Sequence, residues 1–105
     1  MRIDSGQTCS TKDIQIYQWA SGYTGVHVPM YTVQILNEGT KDVFGVRISC
    51  GDFASTNLIN RLIFRRKDKG VCILKNGGQI KQGEMISFRY SNILPYTLKV
   101  LQVEC

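Results

Sequence analysis

Residues 49–72 read SCGDFASTNLINRLIFRRKDKGVC, a cysteine near each end and the densest positive charge of the chain between them. Within this stretch ASTNLINRLIFRR, at 54–66, is the best helical candidate in the sequence. It contains Ile59 and Ile63, whose β-branches lose rotamer freedom against a helical turn, and Asn57 and Asn60, whose amides compete for backbone hydrogen bonds. The segment is therefore read as a loop with one helical turn around 54–57, leading into a strand over 58–66. No other segment sustains a helical stripe beyond about two turns. The chain is expected to be all-β.

Elsewhere the apolar period is two, as on a strand with one buried face. Ile14 and Ile16 alternate with Gln15 and Tyr17; Tyr31, Val33 and Ile35 alternate with Thr32, Gln34 and Leu36. Phe44, Val46, Ile48 and Cys50 share one parity against Gly45, Arg47 and Ser49, and Ile86, Phe88 and Tyr90 share one against Ser87 and Arg89. In YTLKVLQVEC the apolar phase slips between Val100 and Leu101, which predicts a bulge or a strand buried on both faces. Turn chemistry at NEGTKD (37–42), KDKG (67–70), NGG (76–78) and KQGE (81–84) separates these runs. Seven to eight short strands of this kind predict an antiparallel β-sandwich, jelly-roll-like.

A length of 105 residues suits one domain, here 9–105, preceded by a flexible N-terminal segment over 1–8. No apolar run is long enough to span a membrane, so no membrane insertion is expected. MRIDSGQTCS is polar from its second residue, so the chain is either cytosolic or a mature segment whose leader has been removed. The cysteines decide between these. Cys9, Cys50, Cys72 and Cys105 lie far apart, without the short spacings of zinc sites, and His27 is the single histidine. An even number of widely spaced cysteines fits a disulfide framework in a secreted domain. If every strand reverses the one before, Cys9 and Cys72 fall at one end of the sandwich and Cys50 and Cys105 at the other. The expected pairs are then Cys9–Cys72 and Cys50–Cys105.

Few residues here could carry catalysis. His27 stands beside a proline in a loop, and the eight acids lie mostly in turns or at segment ends, so facing carboxylates are not expected. Asp52 is the one suggestive acid and has no evident partner. NGGQIKQG lacks the ending and the following helix of a phosphate loop and reads as two hairpin turns. The chain is expected to be no enzyme and to need no cofactor or metal. Charge is more informative. Of a net +5, the nine residues from Arg61 to Lys69 supply +4: Arg61, Arg65, Arg66, Lys67 and Lys69 against Asp68. Only Phe64 lies among them, whereas nucleic-acid surfaces interleave cations with stacking aromatics, so no nucleic-acid partner is expected. Such a strand either protects a sheet edge or meets an acidic protein surface. A second candidate is the aromatic run YQWASGYTGVHVPMY. Its Tyr17, Trp19 and Tyr23, on a loop, could stack on sugar rings as a cell-wall carbohydrate-binding module.

The ordered series of these segments resembles the plant tapetum-determinant-like proteins, small secreted cysteine-containing chains. The matching features run from Cys9 with DIQIYQ, through Tyr31 to Asn37, then Cys50, Gly51, Phe53 and Ser55, then Phe64 to Arg66, then Gly83 to Tyr90, and end at Cys105. Two further cysteines of the family pattern are missing together near EGTKDVF, which leaves the remaining four to pair among themselves. Asp52 and Arg61 stand where the family commonly has an aromatic residue and a proline. The resemblance implies a secreted, non-enzymatic signalling ligand for the ectodomain of a leucine-rich-repeat receptor kinase, in anther or reproductive cell differentiation. Arg61, Arg65, Arg66, Lys67 and Lys69 are the candidate docking residues.

Overall fold

The computed structural model describes residues 9–105. The expectation for 1–8 lies outside them. Seven strands form: β1 (Ile14–Tyr23), β2 (Pro29–Asn37), β3 (Phe44–Gly51), β4 (Phe64–Asp68), β5 (Gly70–Leu74), β6 (Met85–Ser91) and β7 (Lys99–Glu104). They make two antiparallel sheets, one ordered β1-β2-β6 and the other β4-β5-β3-β7. Among the described residues the only helical pieces are 3-10 turns at Thr11–Asp13 and Lys75–Gly77. The all-β sandwich follows from the alternation. Val33 and Ile35 of one sheet and Val46, Ile48 and Leu74 of the other are buried in one core, while Gln34, Arg47 and Ser49 are not. Burying such side chains contributes about 1.5–3 kcal/mol each.

One end of the core is aromatic. Phe64 stacks on Phe88 with centroids 4.3 Å apart, and Phe53 meets both Phe64 and Tyr90 edge-on at 5.1 Å. Burial pushes the Tyr90 phenol above its ordinary pKa, so it stays protonated and donates to Gln18 Oε1. Gln18 Nε2 in turn donates to the Tyr96 carbonyl.

The disulfides are Cys9–Cys105 and Cys50–Cys72, not the pairs expected from strict strand reversal. The reversal fails once. The connection over 52–63 runs back along the sandwich before β4 begins, so β3 and β4 both lie antiparallel to β5 and share one direction. Every later strand is then inverted relative to the expectation. Cys72 comes beside the end of β3, where Ile48 pairs with it, and Cys105 follows Glu104, which faces Phe44 at the start of β3.

The 52–63 connection also departs from its reading. It contains no helical turn over 54–57, and its strand begins only at Phe64. Its shape comes from distant partners. The Ser55 hydroxyl accepts from the Ser91 N–H at 3.0 Å, and the Thr56 N–H donates to the Ser91 carbonyl at 3.0 Å. Asn92 Nδ2 donates to the Ala54 carbonyl at 3.0 Å. NGGQIKQG forms no hairpins either; it is part of the crossing from β5 in one sheet to β6 in the other, held midway by the Val43–Ile80 bridge. Phe44 is exposed rather than on the core face. Gly45, at φ +60, is an extra residue relative to β7 and turns the strand before Val46. The slip read near Leu101 is a bulge: Ile48 and Arg47 are consecutive, but their partners are Val100 and Gln102.

Candidate functional site

The two sheets present outer faces of different chemistry. On the four-stranded sheet, register aligns Arg65, Ile73, Arg47 and Gln102 in one row across β4, β5, β3 and β7. The neighbouring row runs Asp68, Val71, Ser49 and Lys99. Their chain neighbours Val46, Ile48 and Leu74 are in the core, so these residues face outward. Of the basic cluster read from the sequence, Arg65 joins this outer face, whereas Arg66 pairs with core Cys72 and has the other parity, exposed because β4 is an edge strand. Arg47 and Lys99, which sequence reasoning did not assign to the cluster, extend the positive face.

The five predicted cations take different roles. Arg66, Lys67 and Lys69 are exposed along β4 and its turn. Arg65 is half-buried and anchored: Nε and Nη2 both donate to Asn76 Oδ1, at 3.2 and 3.0 Å, and Nη1 donates to the Arg66 carbonyl at 3.3 Å. Asn76 can receive this fork because it sits in the left-handed region at φ 55, on the 3-10 turn beyond β5. Arg61 lies in the turn before β4 and lines a shallow cavity of about 240 Å³ together with Arg65, Phe53 and Leu58. Arg47 is half-buried, and its Nε is shielded without a hydrogen-bond partner.

On the three-stranded sheet the outer rows are Gln15–Leu36–Met85, Tyr17–Gln34–Ser87 and Trp19–Thr32–Arg89. Tyr17 and Trp19, 44% and 45% exposed, stand on one face of a strand rather than on a loop. The Tyr17 hydroxyl donates to Glu38 Oε2 at 2.9 Å, and that bond raises its pKa. Tyr23 does not join them. A register shift between Ala20 and Tyr23, at Gly22 with φ +116, sets Tyr23 opposite Pro29, on the parity of Tyr31 and the core.

The residues considered above for catalysis lie apart. His27 sits in a turn closed by Thr24, whose hydroxyl accepts from the Val26 and Val28 N–H groups. Asp52 is exposed, and the contact made there is its carbonyl accepting from the Tyr96 hydroxyl. Among the described residues no three His, Cys, Asp or Glu side chains gather as metal ligands.

The class these features define is structural: a small disulfide-closed antiparallel β-sandwich whose two sheets differ in the chemistry of their outer faces. Residues 10–105 match the family described as "Tapetum determinant 1, C-terminal", and the chain belongs to that family. It is 37% identical over 102 residues to "TPD1 protein homolog 1" of Arabidopsis thaliana, covering 95% of this chain and 57% of that protein. It is also 37% identical over 99 residues to "TPD1 protein homolog 1B" of Oryza sativa subsp. japonica, covering 93% and 59%. With "TPD1 protein homolog 1A" of the same species it shares 34% over 112 residues, covering 99% and 49%. The chain thus spans about half to three-fifths of these relatives' length. No solved structure matches it.

Proposed function

We propose that the chain is a secreted, non-enzymatic signalling ligand that docks on the ectodomain of a leucine-rich-repeat receptor kinase, in reproductive cell differentiation. The observation that carries the reading is the basic edge of a disulfide-braced sheet, where Arg66, Lys67 and Lys69 are exposed on β4 and its turn, bordering an outer face that carries Arg65, Arg47 and Lys99. Two disulfides fit an oxidising extracellular compartment. A braced sheet needs little ordering on contact, and clustered cations steer association with an acidic surface.

The test is binding of the oxidised protein to a panel of receptor-kinase ectodomains at low and moderate salt. Arg66 and Lys67 are the positions to reverse, because Arg65 also braces the fold through Asn76. Arg66→Glu with Lys67→Glu should weaken binding roughly tenfold, two exposed charges at about 0.5–1 kcal/mol each, and flatten its salt dependence. Unchanged affinity and salt slope would remove the basic edge from the account.

A further inference from the structure

We propose that the outer face of the three-stranded sheet is a separate site for an uncharged polysaccharide, with Trp19 and Tyr17 as its stacking surface. Three observations carry this. The two aromatic residues are two positions apart on edge strand β1, so their rings follow one another along the strand at roughly 6.5–7 Å. Both are close to half exposed, which suits rings laid against the sheet with the other side open to a ligand. Beside them lies an open groove of about 740 Å³ lined by Gln34, Leu36 and Met85 as well as by Tyr17 and Trp19.

The chemistry selects the occupant. Sugar rings present apolar C–H faces and hydroxyl edges, so they need an aromatic surface and fixed neutral hydrogen-bonding groups beside it. Gln34 stands directly across from Tyr17, Thr32 across from Trp19, and Ser87 beyond Gln34. An amide both donates and accepts, as does a hydroxyl, which matches a polyhydroxylated ligand. The groove lining itself carries no ionised side chain; Arg89, which ends the Trp19–Thr32 row, and Glu38, hydrogen-bonded to Tyr17, are the charges at its border, and the charged comparison polymer tests their part. Glu38 accepts the Tyr17 hydroxyl and so fixes the outer end of that ring. The linear ring arrangement favours a chain running along β1.

Trp19 is the single tryptophan, so its fluorescence reports directly on this face. The oxidised protein is titrated with cello-oligosaccharides and xyloglucan, with polygalacturonate as the charged comparison, at two salt concentrations. The expected result is a saturable change in Trp19 emission with a neutral glucan, strengthening with oligosaccharide length and indifferent to salt. By calorimetry, Trp19→Ala and Tyr17→Ala should each lower affinity roughly tenfold, about the upper value of one aromatic contact. Gln34→Ala should lower it less, and Tyr23→Ala, on the other parity, should leave it unchanged. Unaltered thermal unfolding of the variants separates loss of the site from loss of the fold. Three results would overturn the proposal: no neutral glucan binding, binding only to polygalacturonate that salt abolishes, or self-association removed by Trp19→Ala. The last would make the face an interface between copies of the chain.

Discussion

Asn37 ends β2, is 1% exposed, and ties together two connections that cross between the sheets. Its Nδ2 donates to the carbonyls of Lys41 at 2.9 Å and Ile80 at 3.1 Å, and its Oδ1 accepts from the Gly39 N–H at 3.0 Å. Its backbone reaches the second connection as well, donating to the Glu84 carbonyl and accepting from the Gly83 N–H. Asn37→Ala removes the three side-chain bonds and leaves the backbone ones. The Ile80 carbonyl keeps the Val43 N–H, so that acceptor is not orphaned, and Gly39 stands in a turn that water reaches. Three bonds at about 1 kcal/mol each give a loss of about 3 kcal/mol. With m near 1.5 kcal/mol/M, the urea midpoint of the oxidised protein should fall by about 2 M without a change in m. A loss below about 1 kcal/mol would refute the reasoning, since one net hydrogen bond would then account for the whole effect.

Asn37→Asp sharpens the test. A carboxylate there would face two carbonyl oxygens, so the folded state would favour its protonated form and raise its pKa above the unfolded value of about 3.9. The variant's penalty should therefore be small below that pH and grow as pH rises through it, levelling off above the folded pKa. A penalty independent of pH would mean that the amide's donor role is not what stabilises the site.

Other perturbations follow from single contacts. Removing Cys9–Cys105, which spans 96 residues, by paired serine substitution should cost between about 4 and 5 kcal/mol from chain entropy. Cys50–Cys72 spans 22 residues and should cost about 3 kcal/mol plus a cavity term, because both cysteines are fully buried; chemical denaturation measures each. The Lys75 ammonium, 2.9 Å from Glu84 Oε2, and the Lys81 N–H hold the Glu84 carboxyl below its ordinary pKa. That contribution is present above the unfolded carboxylate pKa and lost as pH falls through the folded one. Glu84→Gln should therefore flatten the acid limb of the stability profile by less than about 1 kcal/mol. Gly45→Ala should cost about 1–2 kcal/mol from the left-handed backbone. Trimming the Glu104 side chain that crowds the added Cβ should recover little, and full recovery in the double variant would show side-chain contact to be the cause.

The fold class was legible because burial imposes its period locally: Val46 and Ile48 alternate with Arg47, and the slip at Leu101 reports a bulge directly. Strand direction was not legible. It depends on the 52–63 connection returning along the sandwich, and Ser91 and Asn92, more than thirty positions away, hold that connection. No local propensity in ASTNLIN encodes those bonds. A single missing reversal was enough to exchange both disulfide partners, since it moves Cys72 and Cys105 together.

The same distinction governs the two faces. A basic run is visible in one dimension, so the sequence supplied Arg66, Lys67 and Lys69 at the sheet edge. Arg47 and Lys99 lie far from that run, and only the register of β3 with β5 and β7 brings them onto the outer face of Arg65, beside that edge. Tyr23 shows the converse. Its parity with Tyr17 and Trp19 is right in the sequence, and the extra residue near Gly22 cancels it by turning the strand over. A glycine inside an alternating strand was the available signal, and it marks where parity must be recounted. A shared face can thus be inferred from alternation only up to the next bulge; beyond it, pairing partners decide which side chains meet.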